Sequence, residues 1–200
     1  MTTLVDICNM ALGWIGTKGI TSLTENSPEA NICTRYLTPA RLQVLREHPW
    51  NFAQKRVTLA AVDVPDEYPE YAYAYMWPAD CIAAHKVYKN TAEYDFEVAQ
   101  SEDGSARMIL TTIDTAVLGY TADVSNPALF DPLFSKMLAR RLAADIGVVF
   151  FKNNPQKVQE LETLYSNDLR RATAKDAGEG KPEAEVDIPW ITCRTGATRV

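Results

Sequence analysis

Twice along this chain the spacing of apolar residues changes, from steps of three and four to steps of two and back again. A helix returns to the same face about every 3.6 residues and a strand every second residue, so a segment patterned for one cannot keep an apolar face in the other. Leu4, Ile7, Cys8, Ala11 and Leu12 advance at helical intervals behind Thr3, which has capping-box spacing to Asp6, and Gly13 and Gly16 predict the end of that helix. Ser27 followed by Pro28 predicts a second start, with Ala30, Cys33, Leu37, Ala40 and Val44 on one stripe. That helix is expected to run to Glu47 before Pro49, kinked or divided at Pro39.

From Lys55 to Asp123 the period is two. Tyr71, Tyr73, Tyr75 and Trp77 alternate with Ala72, Ala74 and Met76, and Tyr94, Phe96 and Val98 alternate with Glu93, Asp95 and Glu97. Further strands are expected over 57–61, 82–88, 107–113 and 117–122, and short connections with Gly104 or Asp114–Thr115 favour antiparallel hairpins in one sheet. Asp131–Pro132 and Asn154–Pro155 then open two more helices, with Phe134, Leu138, Leu142, Ile146 and Val149 on one stripe and Val158, Leu161, Tyr165, Leu169 and Ala172 on the other.

The expected class is α+β. A helical bundle is made from the N- and C-terminal helices (residues 1–54 and 126–175), because their apolar stripes need one another. An antiparallel β-sheet domain (55–125) is inserted in it, and 176–200 form an extended C-terminal arm that could reach roughly 80 Å at about 3.3 Å per residue.

Hydrophobic residues make up 46% and charged residues 23% of the chain, an ordinary globular balance, and the net charge of −6 argues against a nucleic-acid or anionic-membrane binder held by bulk electrostatics. The four cysteines form no Cys-x-x-Cys pair and only His48 and His85 could join them, so free thiols in a reducing compartment and no metal or cofactor are expected. No signal peptide or membrane span is predicted, which implies synthesis in the cytoplasm.

Several groups could carry chemistry. Cys81 and His85 could be a thiol and base, but on a strand four residues span about 13 Å, and packing is the favoured role. Glu67, Glu70 and Asp80 could supply a hydrolytic carboxylate pair for glycans, against which stands plain loop solvation. Gly13, Gly16 and Gly19 with Lys18 superficially resemble a phosphate loop, yet they follow a helix instead of preceding one. The aromatic stripe ending at Trp77 could stack on bases, but it lacks interleaved cations and reads better as sheet packing or a subunit interface. Glu93, Asp95 and Glu97 could approach calcium, though carboxylates on one strand face do not wrap an ion. Arg170, Arg171 and Lys175 suit a helix C-terminus. Arg140 and Arg141, in mid-helix, are candidates for pairing with acidic groups across an interface. In the arm, Ile188, Trp190, Ile191, Arg194 and Arg199 are candidates for partner docking, while Trp50 is expected in the core.

Residues 9–60, "NMALGWIGTKGITSLTENSPEANICTRYLTPARLQVLREHPWNFAQKRVTLA", carry an Ala-Leu-x-x-Ile-Gly helix end, an acidic turn at 24–26, an Ala-rich helix and the run His48-Pro49-Trp50-Asn51-Phe52-Ala53. With "YAYMWPAD" at 73–80 and Phe130-Asp131-Pro132-Leu133-Phe134, this order resembles the tail tubular protein A family, the head-to-tail adaptors of short-tailed bacteriophages. The resemblance covers most of the chain up to Lys175, and the arm matches it only in character. It implies a noncatalytic virion protein forming a twelve-subunit ring between the portal protein and the tail nozzle protein. Genomic DNA would pass through the lumen without sequence-specific binding, and an acidic lining would let it slide. The bundle would form the ring, the sheet domain would project outward or toward tail components, and the arm would touch the portal or a neighbouring subunit. Rival readings are a tail-associated glycan hydrolase, and a head-completion or stopper protein at another connector level.

Overall fold

The structure, a computed structural model, describes residues 2–101, 104–151 and 154–178. In chain order come α1 (Leu4–Ile15), α2 (Pro28–Glu47), β1 (Gln54–Thr58), β2 (Ala61–Val62), β3 (Tyr73–Met76), β4 (Cys81–Lys89), β5 (Ala92–Tyr94), β6 (Glu97–Gln100), β7 (Arg107–Thr111), β8 (Val117–Ala122), α3 (Pro132–Phe150) and α4 (Pro155–Gly178). The described residues thus form a mixed α+β fold with four helices and two antiparallel sheets.

Side-chain caps set the helix starts. Thr3 and Asp6 cap α1 reciprocally: the Asp6 N–H donates to Thr3 Oγ1 at 3.1 Å and the Thr3 N–H donates to Asp6 Oδ2 at 2.8 Å. Gly16 ends α1 at φ 76°, a left-handed conformation that a Cβ would strain. Ser27, Asp131 and Asn154 accept from the Ala30, Leu133 and Lys157 N–H groups at 3.1, 2.7 and 3.2 Å, each ahead of a proline that gives up no bond there. Pro39 does not divide α2. Its cost of about 3 kcal/mol is offset by apolar burial on both sides, at Cys33 and Leu37 before it and Ala40 and Val44 after it.

One apolar cluster draws on all four helices. The α3 helix packs against α1, α2 and α4, and its Phe134, Leu138, Leu142 and Ile146 are fully buried. The α4 helix runs beyond residue 175 to Gly178, and Asp176 is buried against residues 48–51. The expected boundary before 176 therefore falls three residues too early. Ile188, Trp190, Ile191, Arg194 and Arg199 lie outside the described residues.

Where one sheet was expected, the strands form two, in the orders β1-β8-β4-β5 and β2-β3-β7-β6, with every pair antiparallel. The chain changes sheet four times, after β1, β3, β5 and β7. The run 57–61 is split for this reason: the Leu59 N–H donates to Ala116 O beside the first sheet, while Ala60 O accepts from Met76 in the second, both at 2.9 Å. The alternating run 93–98 is likewise two strands in different sheets, and the Asp114–Thr115 connection joins sheets instead of closing a hairpin. The β6–β7 connection does close one.

Between the sheets lies a core of Val87, Leu118 and Tyr120 from the first and Tyr75 and Ile109 from the second. The second sheet is covered on its other face too, where Ala74, Met108 and Leu110 meet Val64, Tyr68 and Tyr71. Consecutive residues Ala74 and Tyr75 are therefore both buried, and the alternation read from the sequence does not separate a wet face from a dry one. Arg41, itself buried, joins α2 to the end of β8 by donating to the Asp123 carboxylate and, at 2.8 Å, to Val124 O. Arg46 adds a bond to Ile82 O at 3.1 Å.

Candidate interaction surfaces

Arg140 and Arg141 find their acidic partners inside the chain. Arg141 donates to Asp145, one turn on, and its Nη1 reaches Glu162 Oε2 of α4 at 3.0 Å, with the guanidinium over the Tyr165 ring. Its side chain is only 13% exposed, and the two carboxylates hold its guanidinium charged against the desolvation that burial imposes. Arg140 lies 3.9 Å from the Trp14 ring centroid and donates to Asp168 at 3.2 Å, so it links α1, α3 and α4. Both cations are spent on joining helices.

The His48-Pro49-Trp50-Asn51-Phe52-Ala53 run sits where α2, α3, the end of α4 and β1 converge. The Trp50 indole is fully buried, donates to Val44 O at 2.9 Å and meets Phe134 edge-on. Phe52 packs against Phe130 and Phe134. His48 Nε2 lies 2.8 Å from Asp176 Oδ2, and Asn51 Nδ2 donates to Asp176 O at 2.8 Å. This motif is a structural joint.

The candidate chemical groups are dispersed. Burial first, and the Asp80 charge second, push the Cys81 thiol up to about 12, which suppresses the reactive thiolate. His85 sits at a bulge in β4 with Nε2 2.7 Å from Thr121 Oγ1, and burial lowers its basicity. Asp80 accepts from Lys55 Nζ at 2.8 Å and from the Tyr120 hydroxyl at 2.9 Å; the Lys55 bond and then the Tyr120 bond hold its carboxyl below the usual range. A group kept ionised in this way makes a poor general acid. Glu67 and Glu70 are exposed on the segment between β2 and β3. An open groove of about 670 Å³ near β2 is lined by Val62, Met76, Arg107 and Met108, and none of Glu67, Glu70 and Asp80 lines it. Among the described residues, no cluster of three or more His, Cys, Asp or Glu could hold a metal ion.

Glu93 and Glu97 belong to different sheets. Glu93 accepts from Lys86 at 2.6 Å and Glu97 from the Tyr71 hydroxyl at 2.9 Å. Gly13 and Gly16 terminate α1, with the Gly16 N–H donating back to Gly13 O at 3.2 Å, and the turn beyond is clasped by Asn9, which bonds both polar backbone groups of Ile20.

Sequence reasoning missed the two edges of the first sheet, because edges exist only once strand order is known. The outermost strands are β1 and β5. Val57, Leu118, Val87 and Tyr94 form one row across the sheet, buried in the middle and exposed at its ends, where Val57 is 37% and Tyr94 39% exposed. On the opposite face Arg56, stacked over Tyr88, marks the β1 edge and Glu93 the β5 edge.

No known family model matches the chain, and no curated protein matches it. Among the described residues no helix is long and apolar enough to cross a membrane.

Proposed function

We propose that this chain is a noncatalytic structural protein of a phage virion, a head-to-tail adaptor that assembles as a ring between portal and tail nozzle and continues the channel for DNA. The reading rests on the resemblance to the tail tubular protein A family. The observation that supports it most is the position of the shared His48–Ala53 motif, which leads from α2 into β1 and whose side chains tie α2, α3 and the end of α4 together and perform no evident chemistry. On this reading the four helices are the bundle, the eight strands are its insertion between α2 and α3, and residues after Gly178 are the arm that docks through Ile188, Trp190 and Ile191.

Two features of the chain agree with a conduit part. The net charge of −6 gives a phosphate backbone no general hold, and the candidate hydrolytic residue Asp80 is engaged by Lys55 and Tyr120. A ring also needs two different complementary faces on each copy, since a heterologous contact must repeat until it closes.

Electron microscopy of the purified protein mixed with portal rings tests the reading. An additional ring layer, with the symmetry of a closed cyclic assembly, is expected. A chain lacking residues 182–200 should keep its circular dichroism spectrum and melting temperature yet fail to add that layer; normal incorporation would remove the docking role from the arm. A layer bound only at the distal end of an already assembled connector would place the protein at a stopper level instead. Glycan cleavage by the purified protein that is lost in Glu67→Gln with Glu70→Gln would overturn the noncatalytic assignment.

A further inference from the structure

We infer that the first sheet is built to continue from one copy of this chain into the next, with β1 of one copy adding to β5 of its neighbour. This specifies the contact within the proposed ring and rests on that reading only for closure. Four observations carry it.

Both edges are open. Among the described residues no strand pairs β1 on the side away from β8, or β5 on the side away from β4. All five residues of β1 and all three of β5 are exposed.

The directions agree. Sheet order β1-β8-β4-β5 has three successive antiparallel steps, so β1 and β5 run in opposite directions. A copy carried sideways around an axis parallel to the strands therefore brings its β1 antiparallel to β5, and the ladder stays antiparallel throughout.

The charges differ in sign. The β1 edge carries Lys55 and Arg56, and the β5 edge carries Glu93 with Asp95 just beyond it. Lys55 and Glu93 have partners within the chain, whereas Arg56 has a ring beneath it but no carboxylate among the described contacts. Two β1 edges brought together would set like charges opposite one another, which destabilises a pair of strands. The isologous contact is therefore disfavoured and the heterologous one favoured, which is the kind that makes rings.

Finally, the apolar row continues. Placing Val57 of one copy opposite Tyr94 of the next extends the row Val57–Leu118–Val87–Tyr94 across the junction and covers its two exposed ends. In the same register Arg56 lies opposite Asp95, with Glu93 two residues away on the same face. Lysine and arginine on an edge discourage promiscuous pairing, so this edge accepts an acidic partner strand and repels others. The ladder is short, so a single junction is weak and the contact gains from repetition around a ring.

Cysteine cross-linking of the full chain, with Cys193→Ser in the background, tests the contact. Val57→Cys combined with Tyr94→Cys in one chain should give, on oxidation with copper phenanthroline, a ladder of dimers, trimers and higher species on a non-reducing gel. A mixture of the two single variants should stop at dimers, and Val57→Cys alone should give none. Adding Arg56→Glu should lower the yield about fivefold, and adding Asp95→Arg as well should restore it. Absence of the ladder, or homodimers from Val57→Cys alone, would overturn the inference. Rings on the portal without the ladder would sink the edge contact and leave the adaptor reading standing; a ladder without portal binding would do the reverse.

Discussion

Trp50 heads the large side chains with no exposed surface, and its one polar atom is satisfied by Val44 O. Truncation to alanine removes both the ring and its edge-on contact with Phe134, so Trp50→Ala is expected to cost about 3–5 kcal/mol, read as a lower urea midpoint with little change in slope. Asp80 has a different signature. Its carboxyl is depressed by Lys55 and then by Tyr120, so its contribution is complete above the unfolded value of about 4 and is lost as pH falls through the folded value. The stability difference between wild type and Asp80→Asn should therefore be constant from neutral pH down to about pH 5 and shrink below about 4 in urea titrations at stepped pH. Its partner gives the opposite limb: burial, then the Asp80 bond, raises the Tyr120 hydroxyl to about 12. The Tyr120 contribution holds below the ordinary tyrosine value of about 10 and declines between there and about pH 12, a decline that Tyr120→Phe should remove.

The helices were legible because their caps and stripes are local. Thr3 with Asp6, Ser27, Asp131 and Asn154 each mark a start, and Phe134, Leu138, Leu142 and Ile146 mark the most buried stripe. What joins α3 to α4 was not legible as such, since nothing in the spacing of Arg141 says that Glu162 will face it. Arg141→Ala would leave Asp145 and Glu162 without their shared cation, at a cost of about 2 kcal/mol once the partial exposure of Glu162 is allowed for. Faster amide exchange across α4, with β4 and β8 unchanged, is the expected readout. The strands were only partly legible. Alternation at 57–61 and 93–98 is real, but the chain changes sheet within each run, and a period of two carries no record of which partner a strand takes.

At the level of the whole molecule, helices and the first sheet are tied at Arg41 and at Arg46, and residues 48–53 clamp the end of α4 through Asp176. A chain ending at residue 175 loses the groups that satisfy His48 and Asn51 and should melt several degrees lower by calorimetry than one ending at 178. The early boundary at 175 had a local cause: Gly-, Glu-, Lys- and Pro-bearing sequence follows, and the buried role of Asp176 depends on residues 128 and 125 positions away. From the sequence by itself came the helix starts, the alternation of the middle segment, the burial of Trp50 and the α+β class, all of which are set by interactions within a few residues of chain. Only the tertiary structure decided that the strands divide into two sheets, that Arg140 and Arg141 are consumed within the chain, and that β1 and β5 are the edges left open. Each of those depends on which distant segments meet, and local periodicity contains the period of a segment but not its neighbour.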